Sequence, residues 1–388
     1  MIKKTKILHL THTDIYDDNR ILKELEALSD SDEYDILSVG VKDEGGGTRT
    51  ELVVKTQVKL LNLVSKKFTY LPKFLRHGLN IIELFFPMLV RGIRYRPAIV
   101  HCHDTLVLPV GWFISYLTGA KLIYDAHELE SDKNGQSKLL SLATLLIEKV
   151  CWPRVSVLIS VSPSILTWYS TKLGHKKNTL ILNSPLITND ANDPAVEVAE
   201  NYFRSLYGIR PDELIFIYLG MLENGRGIQT LLKAFTELGV NSHVVFVGHG
   251  RLEPQILSVS EKSEKVHLHN PVPHEAVIRL VKNADIGLCV IENISLSDYY
   301  CLPNKLFEYC FAGIPVLASN FPDINHVVAK HRLGIVSEID FKSIVDAIKA
   351  IERNPPSFIP KNIAELSWQE QSNRLIDVYS EILTETRS

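Results

Sequence analysis

The residues able to do chemistry gather at the ends of apolar runs. "KILHLTHTD" finishes in Thr11, His12, Thr13 and Asp14, "AIVHCHD" in His101, His103 and Asp104, and "AKLIYDAHE" in Asp125, His127 and Glu128. Imidazoles and carboxylates in such places orient hydroxyls and exchange protons. One loop histidine alone is usually no more than a hydrogen-bonded residue; three such ends in one half-chain point to a pocket. In the second half, "YLGMLENGRGIQTLLKAF" sets Arg226 between Gly225 and Gly227 at a helix start. Glycines let a ligand approach the backbone, and an arginine beside helix-start amides suits phosphate. In "CLPNKLFEYCFAGIPVLAS", Pro303 and Asn304 precede a helix, Asn304 is able to cap it, and Lys305 adds charge to its first turn. Glu308 shares a helical face with Lys305 and can accept two ribose hydroxyls. The same residues also fit a capped helix with an i,i+3 ion pair contributing about 0.2–0.5 kcal/mol. "VGHGRL" matches a dinucleotide fingerprint only in part, lacking its third glycine and downstream acid.

Short apolar runs alternating with helical periods must position these groups. The runs "KILHLT", "YDILSVGV", "AIVHCHD", "AKLIYDAHE", "VLISVS" and "TLILNS" read as buried parallel strands of one domain. "LIFIYLG", "HVVFVGHG", "KVHLHN", "IGLCVI", "IPVLAS" and "LGIVSE" read as those of a second. Helices are expected in "RILKELEALSD", "KLLSLATLLIEKV", "GIQTLLKAFTEL", "HEAVIRLVKNA" and "FKSIVDAIKAIER". Repeated βα units predict an α/β fold of two doubly wound domains facing across a cleft, with ligands beyond the strand carboxyl ends. The polar interval 183–201 is the expected hinge. This gives an N-terminal domain 1–185, a C-terminal domain 186–370, and a helix in 371–388 that either stays with the second domain or returns to the first.

The 388 residues are 45% hydrophobic and 22% charged, enough for two ordinary cores. A formal net charge of -3 gives no global attraction to nucleic acid, so no nucleic-acid partner is expected. Cys102, Cys151, Cys289, Cys301 and Cys310 are scattered without metal spacing and read as reduced core thiols of a cytoplasmic protein. The apolar run near the start is too short for a signal peptide and reads as a first strand. Between Lys59 and Arg96 many bases face the single acid Glu83 among apolar residues. That segment, its apolar part broken by Gly78 and Pro87, is either an ordinary crossover or a surface for anionic membrane on the inner face.

Four blocks in order resemble the family-4 retaining glycosyltransferases of the GT-B fold, over nearly the whole chain. They are "IVHCHDTLVLPVGWFISYLTGAKLIYDAHELES", "YLGMLENGRGIQTLLKAF", "VPHEAVIRLVKNADIGLCV" and "LPNKLFEYCFAGIPVLAS". The resemblance implies that the second domain binds a nucleotide-diphosphate sugar and the first a saccharide or lipid-linked saccharide acceptor. Arg226 then matches the base on the donor diphosphate, Glu308 the ribose-binding second glutamate of an E-x7-E motif, and His127 the histidine beside the transferred sugar. Val272 and Pro273 match the loop that meets the nucleobase. Gly250, Pro303, Asn304 and Leu306 complete the expected donor side. Asp18, Arg20, Asp104 and Glu128 are expected on the acceptor side, Asp17 and Asn19 flanking them. Two departures stand out: Tyr300 replaces the first motif glutamate, and Met221 replaces the first of two bases near the diphosphate, whose charge Lys305 can supply.

The implied reaction is sugar transfer with retention by front-face attack, with Arg226, Lys305 and helix amides stabilising the leaving diphosphate and no metal or other cofactor. Motifs of the "PNK-FEY" type resemble enzymes of bacterial surface-polysaccharide assembly. A non-hydrolysing nucleotide-sugar epimerase and a non-catalytic GT-B binding subunit are the alternatives; a hydride-transferring oxidoreductase lacks its glycine fingerprint.

Overall fold

The computed structural model describes residues 4–31, 33–42, 56–186 and 199–384. The chain divides into two compact units, residues 1–182 with 371–388, and residues 183–370. Most of the expected hinge lies outside the described residues.

The first unit is a seven-stranded parallel sheet of order β3-β2-β1-β4-β5-β6-β7. Its strands are β1 (Thr5–Leu10), β2 (Tyr34–Val41), β3 (Gln57–Leu61), β4 (Ile99–His103), β5 (Lys121–Ala126), β6 (Val155–Ser160) and β7 (Lys177–Leu180). Burial on both faces explains why β1 and β4 read as unbroken apolar runs, while the edge strand β3, "QVKLL", alternates and escapes sequence reading. The connecting helices are α1 (Asn19–Ser29), α2 (Lys73–Tyr95), α3 (Leu108–Thr118), α4 (Lys138–Cys151) and α5 (Pro163–Leu173). Asp18 starts α1, its Oδ1 accepting from the amides of Arg20 and Ile21 at 3.1 and 3.2 Å. Helix α2 runs unbroken through Gly78 and Pro87. A proline forfeits one helical bond, and burial of Leu84 and Met88 holds the helix through it.

The second unit is a six-stranded parallel sheet of order β10-β9-β8-β11-β12-β13. Its strands are β8 (Ile215–Leu219), β9 (His243–Val247), β10 (Val266–His269), β11 (Ile286–Cys289), β12 (Val316–Ser319) and β13 (Gly334–Ser337). Helices α6 (Tyr202–Tyr207), α7 (Ile228–Phe235), α8 (Glu253–Ser260), α9 (His274–Val281), α10 (Leu296–Tyr299), α11 (Asn304–Ala312), α12 (Pro322–His331) and α13 (Phe341–Arg353) surround it. Phe216, Phe235, Phe246, Leu288, Leu317 and Ile348 share its core. The final helix, α14 (Trp368–Thr384), belongs to the first unit from Gln371 onward. There Gln371 Oε1 accepts from the Leu182 amide at 3.1 Å. The five cysteines are free thiols, all buried except the half-buried Cys301.

Candidate functional site

In the second unit, the turn after β8 carries Gly220, Met221 and Leu222, and a glycine at Gly227 with φ 70° leads into α7. Arg226, in this turn, directs Nη1 to within 3.6 Å of Asp298 Oδ1. Asp298 is itself held: its Oδ2 accepts from Ser295 Oγ at 2.8 Å, and its amide donates to the same hydroxyl at 3.1 Å. Lys305, on the first turn of α11, places Nζ 3.5 Å from the centroid of the Tyr218 ring. Burial, with the Arg226 charge adding to it, pushes the Lys305 ammonium down to about 7. Helix α11 is pinned to the strand ends by the buried Tyr309 hydroxyl, which accepts from Leu219 N at 3.0 Å and reaches Ile217 O and Leu288 O at 3.1 and 3.2 Å. Glu308, buried one turn beyond Lys305, lies close enough to oppose part of that lowering.

In the first unit, His127 lies 3.8 Å from Asp104 and 3.3 Å from Asp125. Burial opposes its charge, but Asp104 and then Asp125 outweigh burial and raise it to about 10. Asp104 has φ 67°, a left-handed backbone costing a non-glycine residue about 1–3 kcal/mol, and its carboxylate lies within 4 Å of both His12 and His127. Behind His127 runs a chain of imidazoles. His103 Nδ1 meets His127 Nε2 at 3.3 Å, His9 Nδ1 meets His103 Nε2 at 3.0 Å, and Tyr379 on α14 meets His9 at 3.2 Å and His101 at 2.5 Å. Burial lowers His101 to about 3 and holds His9 and His103 below their ordinary value, so the three are neutral.

Ligand atoms of Glu24, His101, His103 and Asp125 all lie within 4.8 Å of one another, a grouping no sequence spacing disclosed. It fits a metal poorly. Arg20 already provides the cation, bonding Asp125 at 3.0 and 3.1 Å and lying 3.1 Å from Glu24. His101 Nε2 and His103 Nδ1 each lie 3.6 Å from Asp125 Oδ2, so both nitrogens already face a carboxylate that Arg20 neutralises. Burial, and after it Asp125, raises the Glu24 carboxyl to about 8, leaving it neutral.

The expected residues are placed as follows. Arg226 and Glu308 interact with Lys305, which Pro303 and Leu306 flank at the start of α11, and Tyr300 caps the C-terminal end of α10, two residues after Asp298. Asn304 does not cap α11: the helix begins at Asn304 and Pro303 takes the cap position, having no side-chain acceptor to offer. Leu306 is fully buried, so only its backbone can meet a ligand. Gly250 is required by packing, since a Cβ there would stand 2.5 Å from Leu222 O, and its amide is taken by Glu253. Val272 and Pro273 occupy the turn after β10, two strands away from β8.

Arg20 does not face an acceptor. It is 3% exposed and spends its guanidinium on Asp125, Glu24 and the Ile181 carbonyl, because the buried Asp125 carboxylate needs a counter-charge. Asp18 borders a cavity of about 350 Å³ with His12, Thr13, Asp14, Asp17 and Lys66. Glu128 is half exposed and 3.6 Å from Lys133. Sequence reading passed over Asp298, Tyr218, His9 and Tyr379. Asp298 was signalled by the S-x-x-D spacing of a helix start at Ser295, whereas Tyr218, His9 and Tyr379 looked like core.

Residues 213–354 match the family model described as Glycosyl transferases group 1. No curated protein matches the sequence. Among solved structures, sucrose-phosphate synthase from Thermosynechococcus elongatus is similar with TM-score 0.76 at 16% identity, covering 98% of this chain and 100% of that one. Anabaena HepE in complex with UDP-glucose gives 0.67 at 13%, covering 98% and 99%. The lipopolysaccharide outer core galactosyltransferase WaaB gives 0.65 at 13%, covering 97% and 100%. At these identities the likeness establishes the fold: two Rossmann-like α/β units of GT-B type.

Proposed function

We propose that the protein is a glycosyltransferase moving a sugar from a nucleotide-diphosphate sugar to an acceptor hydroxyl with retention of configuration, in the synthesis of a surface polysaccharide or glycolipid. The observation that carries the reading is Lys305, an amine kept near neutrality at the start of α11 beside Arg226. An incoming diphosphate restores its charge, and the charge on the leaving group then grows against two cations already in place. Arg226 bears the diphosphate, Glu308 the ribose, and Tyr300 with Pro303 and Asn304 shape the donor side. His127 positions the sugar as an imidazolium, while Asp104 and Glu128 serve the acceptor. The leaving phosphate oxygen takes the acceptor proton, so no side chain is assigned as base and no metal is assigned.

The family model over 213–354 supports the transferase reading, and the UDP-glucose complex of HepE makes UDP-sugars the first donors to try. A thermal-shift screen of nucleotide-sugars tests it, because a true donor raises the melting temperature by mass action. A donor found in this way, incubated without acceptor, must not epimerise. Failure of every nucleotide-sugar to stabilise the fold would overturn the proposal.

A further inference from the structure

Helices α2, α3 and α4 are successive right-handed crossovers leading across the sheet in one direction, so they form one layer on one face of the first unit. Helix α3 packs against both of the others. Each flanking helix has a second apolar stripe, turned away from the core. On α4 it is Leu139, Leu142, Leu146 and Val150, which are 81, 63, 62 and 61% exposed. On α2 it is Leu79, Ile82, Phe86 and Val90 at the same 3-4-4 spacing, 37 to 58% exposed. Phe113, Tyr116 and Leu117 of α3 are exposed between them. Spacings of this kind ordinarily mark the buried side of a helix.

The exposed charges of the layer have one sign among the described residues. The three helices contain two acids, Glu83 and Glu148. Glu148 is fully buried against Tyr124 and Tyr169, and Glu83 is turned onto Ser65. Arg91 and Arg94 of α2, and Lys138 and Lys149 of α4, are exposed. A second copy of this face would set those bases against their own images with no acid to pair them, which disfavours self-association. No described helix is long and apolar enough to cross a membrane. We infer that this face seats on the surface of a bilayer bearing anionic headgroups. The leucines of α4 and the aromatics of α2 and α3 enter the headgroup boundary, and the bases contact lipid phosphate. The surface extends well past the basic segment 59–96, since α4 supplies its most exposed side chains.

Flotation with the full chain tests the inference and needs no donor, so its outcome is independent of the transferase reading. Vesicles of phosphatidylcholine, alone and with phosphatidylglycerol added, are the probes, at low and at high salt. The protein floats with the anionic vesicles at low salt and less at high salt. Leu142→Glu and Leu146→Glu each lower partitioning by about tenfold or more while leaving the melting temperature unchanged, because both side chains already face solvent. Arg91→Glu with Arg94→Glu removes the preference for anionic vesicles. Three results would overturn it: no flotation at low salt, equal binding to both vesicle types, or a dimer in sedimentation that Leu142→Glu dissociates.

Discussion

The ammonium of Lys305 lies 3.5 Å from the ring centroid of Tyr218, packed over an aromatic face in a place where burial costs it charge. A group lowered from its ordinary 10.5 to about 7 regains its proton when an anion arrives. Nucleoside-diphosphate binding therefore takes up a proton above pH 7. Affinity should fall as pH rises from about 7 to 9, by at most about tenfold per pH unit. Calorimetric titration at several pH values checks this; Lys305→Met should bind weakly and without that slope. A wild-type affinity independent of pH over the range would remove Lys305 from the anion site.

Arg226 is held near the buried Asp298 and is still about a third exposed. Arg226→Ala should reduce kcat on the order of 10²-fold, as expected for loss of a group facing developing negative charge. Steady-state kinetics with the donor found by screening decides it, and unchanged kcat would sink the assignment.

The Arg20–Asp125 pair is buried to within 3% exposure on both sides. Asp125→Asn leaves the guanidinium with a neutral partner and the His127 imidazolium with half its counter-charge. The expected loss is roughly 3–5 kcal/mol of unfolding free energy, measured by urea denaturation. A change under about 1 kcal/mol would mean that the pair contributes little.

His127 has its folded pKa raised to about 10 from 6.5. Its ring proton resonances should therefore stay constant between pH 6 and 8 in an NMR titration. The associated stability is fully present below pH 6.5 and is lost as pH rises through about 10. Asp104→Asn should bring the transition down toward the ordinary histidine range, and a wild-type midpoint near 6.5 would refute the imidazolium.

Gly248 and Gly250 let the turn after β9 cross the turn after β8; a Cβ on Gly248 would stand 1.9 Å from Gly220 O. Both lie in the left-handed range, φ 150° and 154°. Gly248→Ala should destabilise the protein by at least about 1–3 kcal/mol, read as a lower melting temperature. An unaltered melting temperature would contradict the close crossing.

How much of this was legible in advance follows from what each feature depends on. Strand burial is written locally, as apolar runs bounded by turn residues, so the doubly wound α/β class and twelve of the thirteen described strands could be read from sequence, while the GT-B type came from the resemblance of four motif blocks. The exception, β3, is an edge strand whose exposed face interrupts the run. That "GRG" and "PNK" set glycine and cations at helix starts was legible too, because those residue types act through nearby backbone. Their chemical state was not: Lys305 reads as an ordinary cation until Tyr218, 87 residues earlier, is found beneath it. Arg20 reads as a loop-side base, yet α1 turns it inward toward Asp125, 105 residues away. The imidazole chain from His127 to Tyr379 joins β1, β4 and α14, and no pattern in the sequence connects them. Residue types along the chain determined which elements form and which faces they bury. Charge, tautomer and partnership were decided by tertiary packing, because desolvation and Coulomb interaction act through space over a few ångströms and are blind to sequence separation.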